Sequence, residues 1–181
     1  EDLIVAGDGN NLVIAGFAND DVTSGSGVDI IIGDSGVVNA TNTGVLTDIR
    51  TTSLADGGDD IIRAGAGGNT VLGGQGVDNI LSTTAPGGRD ILVGDNGDVL
   101  YTNGIVTTIT STDVGDTTGG NDTITAGNGH TQAIGGTGDD QITSGLGDDY
   151  VFGDHGTMTF NANGSLKQII STYTDQGGLD V

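Results

Sequence analysis

The chain contains no cysteine, no tryptophan and a single proline. Without cysteine, neither disulfides nor thiolate-bound metals can hold it together. Aromatic residues are 3% of its 181 residues, too few for a thick globular core. Cations are equally scarce: 4 Lys plus Arg face 25 Asp plus Glu, for a formal net charge of -21. So acidic a surface repels phosphate backbones and anionic lipid, which argues against nucleic acid as a partner and against membrane insertion. No apolar run approaches the roughly 20 residues of a bilayer span. No 3.6-residue apolar stripe appears either, so no helix is expected. Glycine-rich turns invite a phosphate-loop reading, yet there is no G-x-x-x-x-G-K-[ST].

Glycine is what the chain has in excess, 36 residues against a usual share of about 7%. Composition alone places such a chain near disorder. Its periodicity says otherwise. Gly73 to Leu81, GGQGVDNIL, is a full copy of a nine-residue pattern, G-G-x-G-x-D-x-U-x with U aliphatic. Further copies run over Ala6–Ile14, Ala15–Thr23, Ser24–Ile32, Ala64–Leu72, Ala126–Ile134, Gly135–Thr143 and Ser144–Phe152. A block lengthened by three residues, Ser82 to Val93, holds Pro86.

A second period of about sixty encloses the first. Gly33-Asp34-Ser35-Gly36, Gly94-Asp95-Asn96-Gly97 and Gly153-Asp154-His155-Gly156 open successive copies, 61 and 59 residues apart. The long repeats are 1–32 (partial), 33–93, 94–152 and 153–181 (partial). An insert without the nonapeptide pattern follows each GDxG, at about 37–56, 98–118 and 157–176. Each insert is rich in strand-forming residues around a turn glycine, Gly44, Gly104 or Gly164, which is a hairpin signal. A long repeat is then four nonapeptide turns with a hairpin spliced into the first. Because Glu1 and Val181 both fall inside a repeat, the chain is expected to be part of a longer array.

GGQGVDNIL, GGTGDDQIT and SGLGDDYVF closely resemble the RTX (repeats-in-toxin, hemolysin-type) calcium-binding nonapeptides of secreted bacterial proteins. The resemblance covers the nonapeptide portions of the chain. It implies an all-β fold, a right-handed parallel β-roll that is a calcium-binding β-solenoid, here with a β-hairpin insertion every ~60 residues. The first six residues of a block would make a turn and the last three a short strand. Ca²⁺ would lie between turns stacked on one edge, held by the Asp and by backbone carbonyls.

Carried over by position, the ligands of the first and third turns are Asp2, Asp20, Asp60, Asp78, Asp122, Asp140 and Asp180. The second and fourth turns offer Asn11, Asp29, Asn69, Asp90, Thr131 and Asp149. Every second-turn residue has lost its charge, and affinity follows ligand charge, so this edge is expected to be less fully loaded. Asp34, Asp95 and Asp154 sit where the hairpins leave and are candidates to restore a ligand there. Up to about eleven ions would nearly neutralise the chain, with hard oxygen ligands suited to Ca²⁺. Without them the carboxylates would form rows about 4.8 Å apart, a costly alignment of like charge.

The inward U positions form a thin aliphatic ladder. More informative are the outward ninth positions of the second and fourth turns: Ile14, Ile32, Leu72, Val93, Ile134 and Phe152. A stripe this apolar is either covered by the hairpins or bound by a partner or second copy; the rarity of large bare apolar patches favours the cover. Candidate covering residues recur in the inserts at matching places: Val38 and Ala40, Val99 and Tyr101, Met158 and Phe160, then Leu46 and Ile49, Val106 and Ile109, Leu166 and Ile169.

Other chemistry is thinly supported. The pairs Asp139-Asp140 and Asp148-Asp149 fall in the repeat register, which favours ligation or solvated surface over acid–base work. His130 and His155 are expected to be surface turn residues. The expected function is therefore non-catalytic: a calcium-folded spacer and folding driver in an adhesin, surface-layer or toxin-like protein, secreted or held at the cell surface. The resemblance further implies type I secretion. An accessory domain of an extracellular lipase, protease or epimerase is the alternative. A third is an ice- or glycan-binding surface, for which Thr23, Thr125 and Thr143 give only a broken series.

Overall fold

The structure, a computed structural model, describes residues 1–113, 118–173 and 177–181. The C-terminal ends of two inserts, 114–117 and 174–176, lie outside the described residues. Strands alternate between two sheets as the chain coils: β1 (Leu3–Gly7), β2 (Leu12–Ile14), β3 (Asp21–Ser24) and β4 (Ile30–Ile32). A hairpin follows, β5 (Gly36–Ala40) and β6 (Leu46–Thr51). The coils resume with β7 (Ile61–Gly65), β8 (Thr70–Leu72), β9 (Asn79–Ser82) and β10 (Arg89–Val93). A second hairpin, β11 (Gly97–Thr102) and β12 (Ile105–Ser111), precedes β13 (Thr123–Thr125), β14 (His130–Ile134), β15 (Gln141–Thr143) and β16 (Tyr150–Phe152). The last hairpin is β17 (Gly156–Phe160) and β18 (Leu166–Ser171). Among the described residues there is no helix.

Sheet one runs β1-β3-β7-β9-β13-β15 and sheet two β2-β4-β8-β10-β14-β16, both parallel. The register keeps the aliphatic positions in rows. Ile4, Val22, Ile62, Ile80, Ile124 and Ile142 are successive partners in sheet one. Val13, Ile31, Val71, Leu92, Ala133 and Val151 match them in sheet two. The two rows meet as one narrow core. Short strands of Val, Ile and Thr suit this pleated, half-buried surface. The turns between them need glycine for space as much as for dihedral freedom: Gly76 holds φ 126°, and a Cβ there would strike the Gly58 carbonyl of the neighbouring coil.

The hairpins do not stand apart. They pair with one another, β6 with β11 and β12 with β17, into a third, antiparallel sheet ordered β5-β6-β11-β12-β17-β18. Its register aligns Val38, Ile49, Val99, Ile109, Met158 and Ile169 in one row. Val38, Ile49, Val99, Ile109 and Met158 of that row pack on Ile32, Leu72, Ile91, Val93 and Ile134 of sheet two as a second core, while Ile169 at the edge is exposed. The apolar stripe is thus covered from Ile32 to Phe152, while Ile14 at its N-terminal end stays exposed, and three layers result. Turn chemistry sets the hairpin tips: Asn103 and Gly104 both take positive φ, the two-residue turn that matches strand twist.

His155 departs from expectation. It is fully buried, not a surface residue, with Nδ1 3.3 Å from Ser111 Oγ and Nε2 3.3 Å from Thr137 Oγ1. The reason is tertiary: the last hairpin returns over its own base and sets Tyr173 edge-on to the imidazole.

Candidate metal centre

Each sixth-place Asp of the first edge except Asp180 immediately precedes a strand of sheet one, so the parallel register stacks these residues coil upon coil. The stacking is locked by one repeated hydrogen bond. The Asp2 N–H donates to Asp20 Oδ1 at 2.5 Å, Asp20 to Asp60 at 2.7 Å and Asp60 to Asp78 at 2.8 Å. Asp78 continues to Asp122 at 2.8 Å, Asp122 to Asp140 at 2.7 Å and Asp140 to Asp180 at 3.1 Å. One carboxylate oxygen per residue is thereby spent on the backbone. The other is left over. Oδ2 of Asp20, Asp60, Asp78, Asp122 and Asp140 is buried without any hydrogen-bond partner.

Glycine shapes the space around those oxygens. A Cβ on Gly73 would strike Asp78 Oδ2 and the Gly94 carbonyl; one on Gly94 would strike Asp122 Oδ2. Gly135 stands the same way to Asp140 Oδ2 and the Gly153 carbonyl. Oδ2 of Asp78, Asp122 and Asp140 therefore lies beside main-chain carbonyls of the next coil, in a cradle that only glycine leaves open. No group of three acidic or histidine side chains converges among the described residues. Any cation held here would take one or two carboxylate oxygens, with carbonyls for the rest. That all-oxygen donor set fits a hard, flexible cation such as Ca²⁺ and suits neither zinc nor copper.

Electrostatics agree. Burial raises Asp60 and Asp140 to about 7 and Asp122 to about 8. Asp78 is pushed well above the ordinary carboxylate range, by burial first and then by the charge of Asp122. Buried carboxylates of this kind stay charged only with a positive partner.

The second edge is built differently. Its backbone bonds recur: Asn11 N–H to Asp29 Oδ1 at 2.8 Å, Asp29 to Asn69 at 3.1 Å, Asn69 to Asp90 at 2.9 Å and Thr131 to Asp149 at 2.8 Å. Asp29 and Asp90 again carry a buried, partnerless Oδ2. The Asn turns do not. The Asn11 amide donates to the carbonyls of Gly7 at 3.0 Å and Gly9 at 2.9 Å, so an N–H group already occupies the oxygens of that turn. Asn69 reaches the Gly65 carbonyl at 3.4 Å in the same way. At Thr131 there is no carboxylate, and the hydroxyl itself lacks a partner.

Asp34, Asp95 and Asp154 staple the hairpin bases. Asp34 accepts the N–H of Gly58 at 3.1 Å, where the nonapeptides restart, and that of Gln75 in the next coil at 2.6 Å. Asp95 does the same with Gly120, at 2.9 Å, and Thr137. Asp154 accepts from Gly178 at 3.0 Å. Burial lifts Asp34 to about 6 and Asp95 to about 11, the latter helped by the charge of Asp122.

Two sets of residues escaped the sequence reading. Side chains one place before the ligand positions form an outer ladder running the opposite way. Asn10 accepts from Val28 at 2.9 Å, Asn19 from Asp59 at 3.1 Å, Asp59 from Val77 at 2.9 Å and Asp139 from Leu179 at 2.7 Å. His130 Nδ1 takes the Asp148 N–H at 3.0 Å in the same role. Their signal was present, a recurring Asn or Asp in fifth place. Thr84, in the lengthened block, donates to Asp90 Oδ1 at 2.7 Å; nothing in the repeat pattern marked it.

The family comparison decides the identity of these coils. The model of the RTX calcium-binding nonapeptide repeat matches four times, at residues 1–37, 54–82, 110–130 and 127–157, more than half of the chain. The chain belongs to this family. No curated protein and no solved structure matches it. RTX repeats bind calcium and are typical of secreted bacterial proteins. The matched RTX blocks contain the ligand positions of both edges except Asp90 and Asp180, while the centres of the hairpins fall outside the matches. Among the described residues, no helix is long and apolar enough to cross a membrane.

Proposed function

We propose that this RTX segment is a calcium-folded rod, non-catalytic, that acts as spacer and folding driver in a larger secreted or surface-attached bacterial protein of adhesin, surface-layer or toxin-like kind. The observation that carries the reading is the row of buried, partnerless Oδ2 atoms on the first edge. A buried carboxylate oxygen with no donor costs several kcal/mol if left charged, on the order of the whole stability of a small domain. Bound Ca²⁺ supplies the positive charge that these oxygens lack.

The ligands on the first edge are Asp2, Asp20, Asp60, Asp78, Asp122, Asp140 and Asp180, each through its carboxylate, with glycine carbonyls of the adjoining coil beside it. Asp29, Asp90 and Asp149 serve on the second edge. Asn11 and Asn69 close their own turns by amide donation, and Asp34, Asp95 and Asp154 act as staples, so the ion count falls below the full eleven or so that the gaps allow. In cytosol, where calcium is scarce, the coils stay open and pass through a secretion channel. Outside, millimolar calcium closes them; affinities of extracellular modules, roughly 10⁻⁴ to 10⁻³ M, match that switch.

Calcium titration followed by far-UV circular dichroism and calorimetry tests this. Strand signal should rise cooperatively with calcium, with more ions per chain than the three that the second-edge Asp residues provide for. A spectrum indifferent to calcium or chelator would sink the proposal.

A further inference from the structure

Successive hairpins of the covering layer carry different residues at one matched place, Tyr101 in β11 and Phe160 in β17. In the earlier copy Tyr101 of β11 packs, partly buried, against the core between the layers. One long repeat later the matching residue is Phe160 of β17, without the hydroxyl, and it lines one cavity with Gln132 of β14. Gln132 is 1% exposed, and its Nε2 has no hydrogen-bond partner. A cavity of about 280 Å³ opens there, lined by Gln132, Phe160, Ile105, Val106, Asn163 and Arg89.

Arg89 is the unusual member. Among the described residues Arg50 and Arg63 are each held by an Asp, whereas Arg89 makes no ion pair, in a chain of net charge -21. The mouth of the cavity is therefore a local positive site beside an aromatic ring, two aliphatic side chains and a buried amide. Its volume sits just below the about 300 Å³ at which pockets for drug-sized ligands begin, room for one small ring.

We infer that this cleft binds a single carboxylate-bearing sugar ring, a hexuronate. The Arg89 guanidinium takes the carboxylate in a two-pronged contact, for which its planar fork is shaped. The C–H face of the ring lies on Phe160 and Ile105, and ring hydroxyls satisfy the Gln132 amide. Asn163 spends its Oδ1 on the N–H and hydroxyl of Ser165, at 3.0 and 2.7 Å, which leaves its amide N–H₂ for a second hydroxyl. A polyanion is disfavoured by the acidic coils, whereas one charge at the mouth is tolerated once cations offset the field. The inference rests on the calcium-folded state proposed above, because sheet two supplies Gln132 and Arg89.

The test is an ¹H–¹⁵N titration of the calcium-loaded chain with sodium glucuronate, glucose and acetate at fixed free calcium. Circular dichroism in parallel reports whether the coils are folded, which separates failure of the cleft from failure of the calcium reading. Glucuronate should shift the Gln132 side-chain amide and Arg89 Nε and saturate. Glucose and acetate should bind at least tenfold more weakly. Arg89→Gln and Phe160→Tyr should each weaken glucuronate at least tenfold without moving the calcium midpoint, the tyrosine by setting a hydroxyl into the cleft. Absence of saturable shifts, equal binding of glucose, or glucuronate binding untouched by both substitutions would overturn it. So would shifts confined to the acidic turns, which would mean that the sugar is taken by bound calcium.

Discussion

The two edges of the roll share one backbone and one hydrogen-bond ladder, yet they solve the same problem in opposite ways. On the first edge every ligand position is Asp, and each described interior one hides an oxygen with no donor. On the second, Asn11 and Asn69 replace that oxygen by an amide that donates to carbonyls of its own turn. The exchange of O for NH₂ converts a rung that needs an external cation into one that closes by itself. On the proposed reading, fewer charges lower the calcium requirement of this edge.

Removing calcium breaks the comparison most completely. With chelator at pH 8 the first edge becomes a buried row of charges, and far-UV circular dichroism should show loss of strand structure. Acidification should then restore order without metal. The sign follows from the raised values: Asp60 and Asp140 at about 7 and Asp122 at about 8 bind protons in the folded state that the unfolded chain, near 3.8, has released. Metal-free stability therefore falls as pH rises from about 4 to about 8. A chelated chain equally disordered at pH 4.5 and pH 8 would contradict this.

Single substitutions sharpen it. Asp78→Ala removes a ligand and orphans the buried Asp60 N–H, at a cost of about 1–3 kcal/mol from the hydrogen bond alone. Thermal melts in millimolar calcium should show that loss, plus a shift of the calcium midpoint to higher concentration. Asn69→Ala orphans the Asp29 N–H in the same way, yet it should leave the calcium midpoint nearly unmoved. If both variants shift the midpoint alike, the distinction between the edges fails.

Asn69→Asp is the converse. It should add one bound ion by calorimetry and make folding more dependent on calcium, with little change in melting temperature once loaded. The smallest effect belongs to the outer ladder: Asp139→Ala loses a bond to the exposed Leu179 N–H, about 0.5–1.5 kcal/mol, with ion number unchanged.

How much of this was readable in advance depends on the range of the interaction. Gly73-Gly74-Gln75-Gly76-Val77-Asp78 declares its turn locally, because glycine and Asp act within the block that holds them. The aliphatic rows were equally legible, since a period of nine places Ile62 and Ile80 in the same register. The outer ladder was visible only in outline, because Asn10 or Asp59 reads as ordinary turn chemistry until its acceptor is seen facing another coil's N–H. The staple role of Asp34 joins residues on both sides of a hairpin and in the next coil, so its position in the motif did not reveal its partners. His155 misled for the same reason: its neighbours Ser111 and Thr137 lie in other repeats.

Sequence alone determined the coil, its two edges and the residues that face each of them, because those follow from a short period repeated in register. Only the tertiary structure decided that separate hairpins pair into one sheet, that this sheet covers the apolar face from Ile32 onward, and that one carboxylate oxygen of each interior first-edge Asp is left without a donor. Those outcomes depend on which backbone groups meet across coils and layers, and such meetings are a property of the assembled chain.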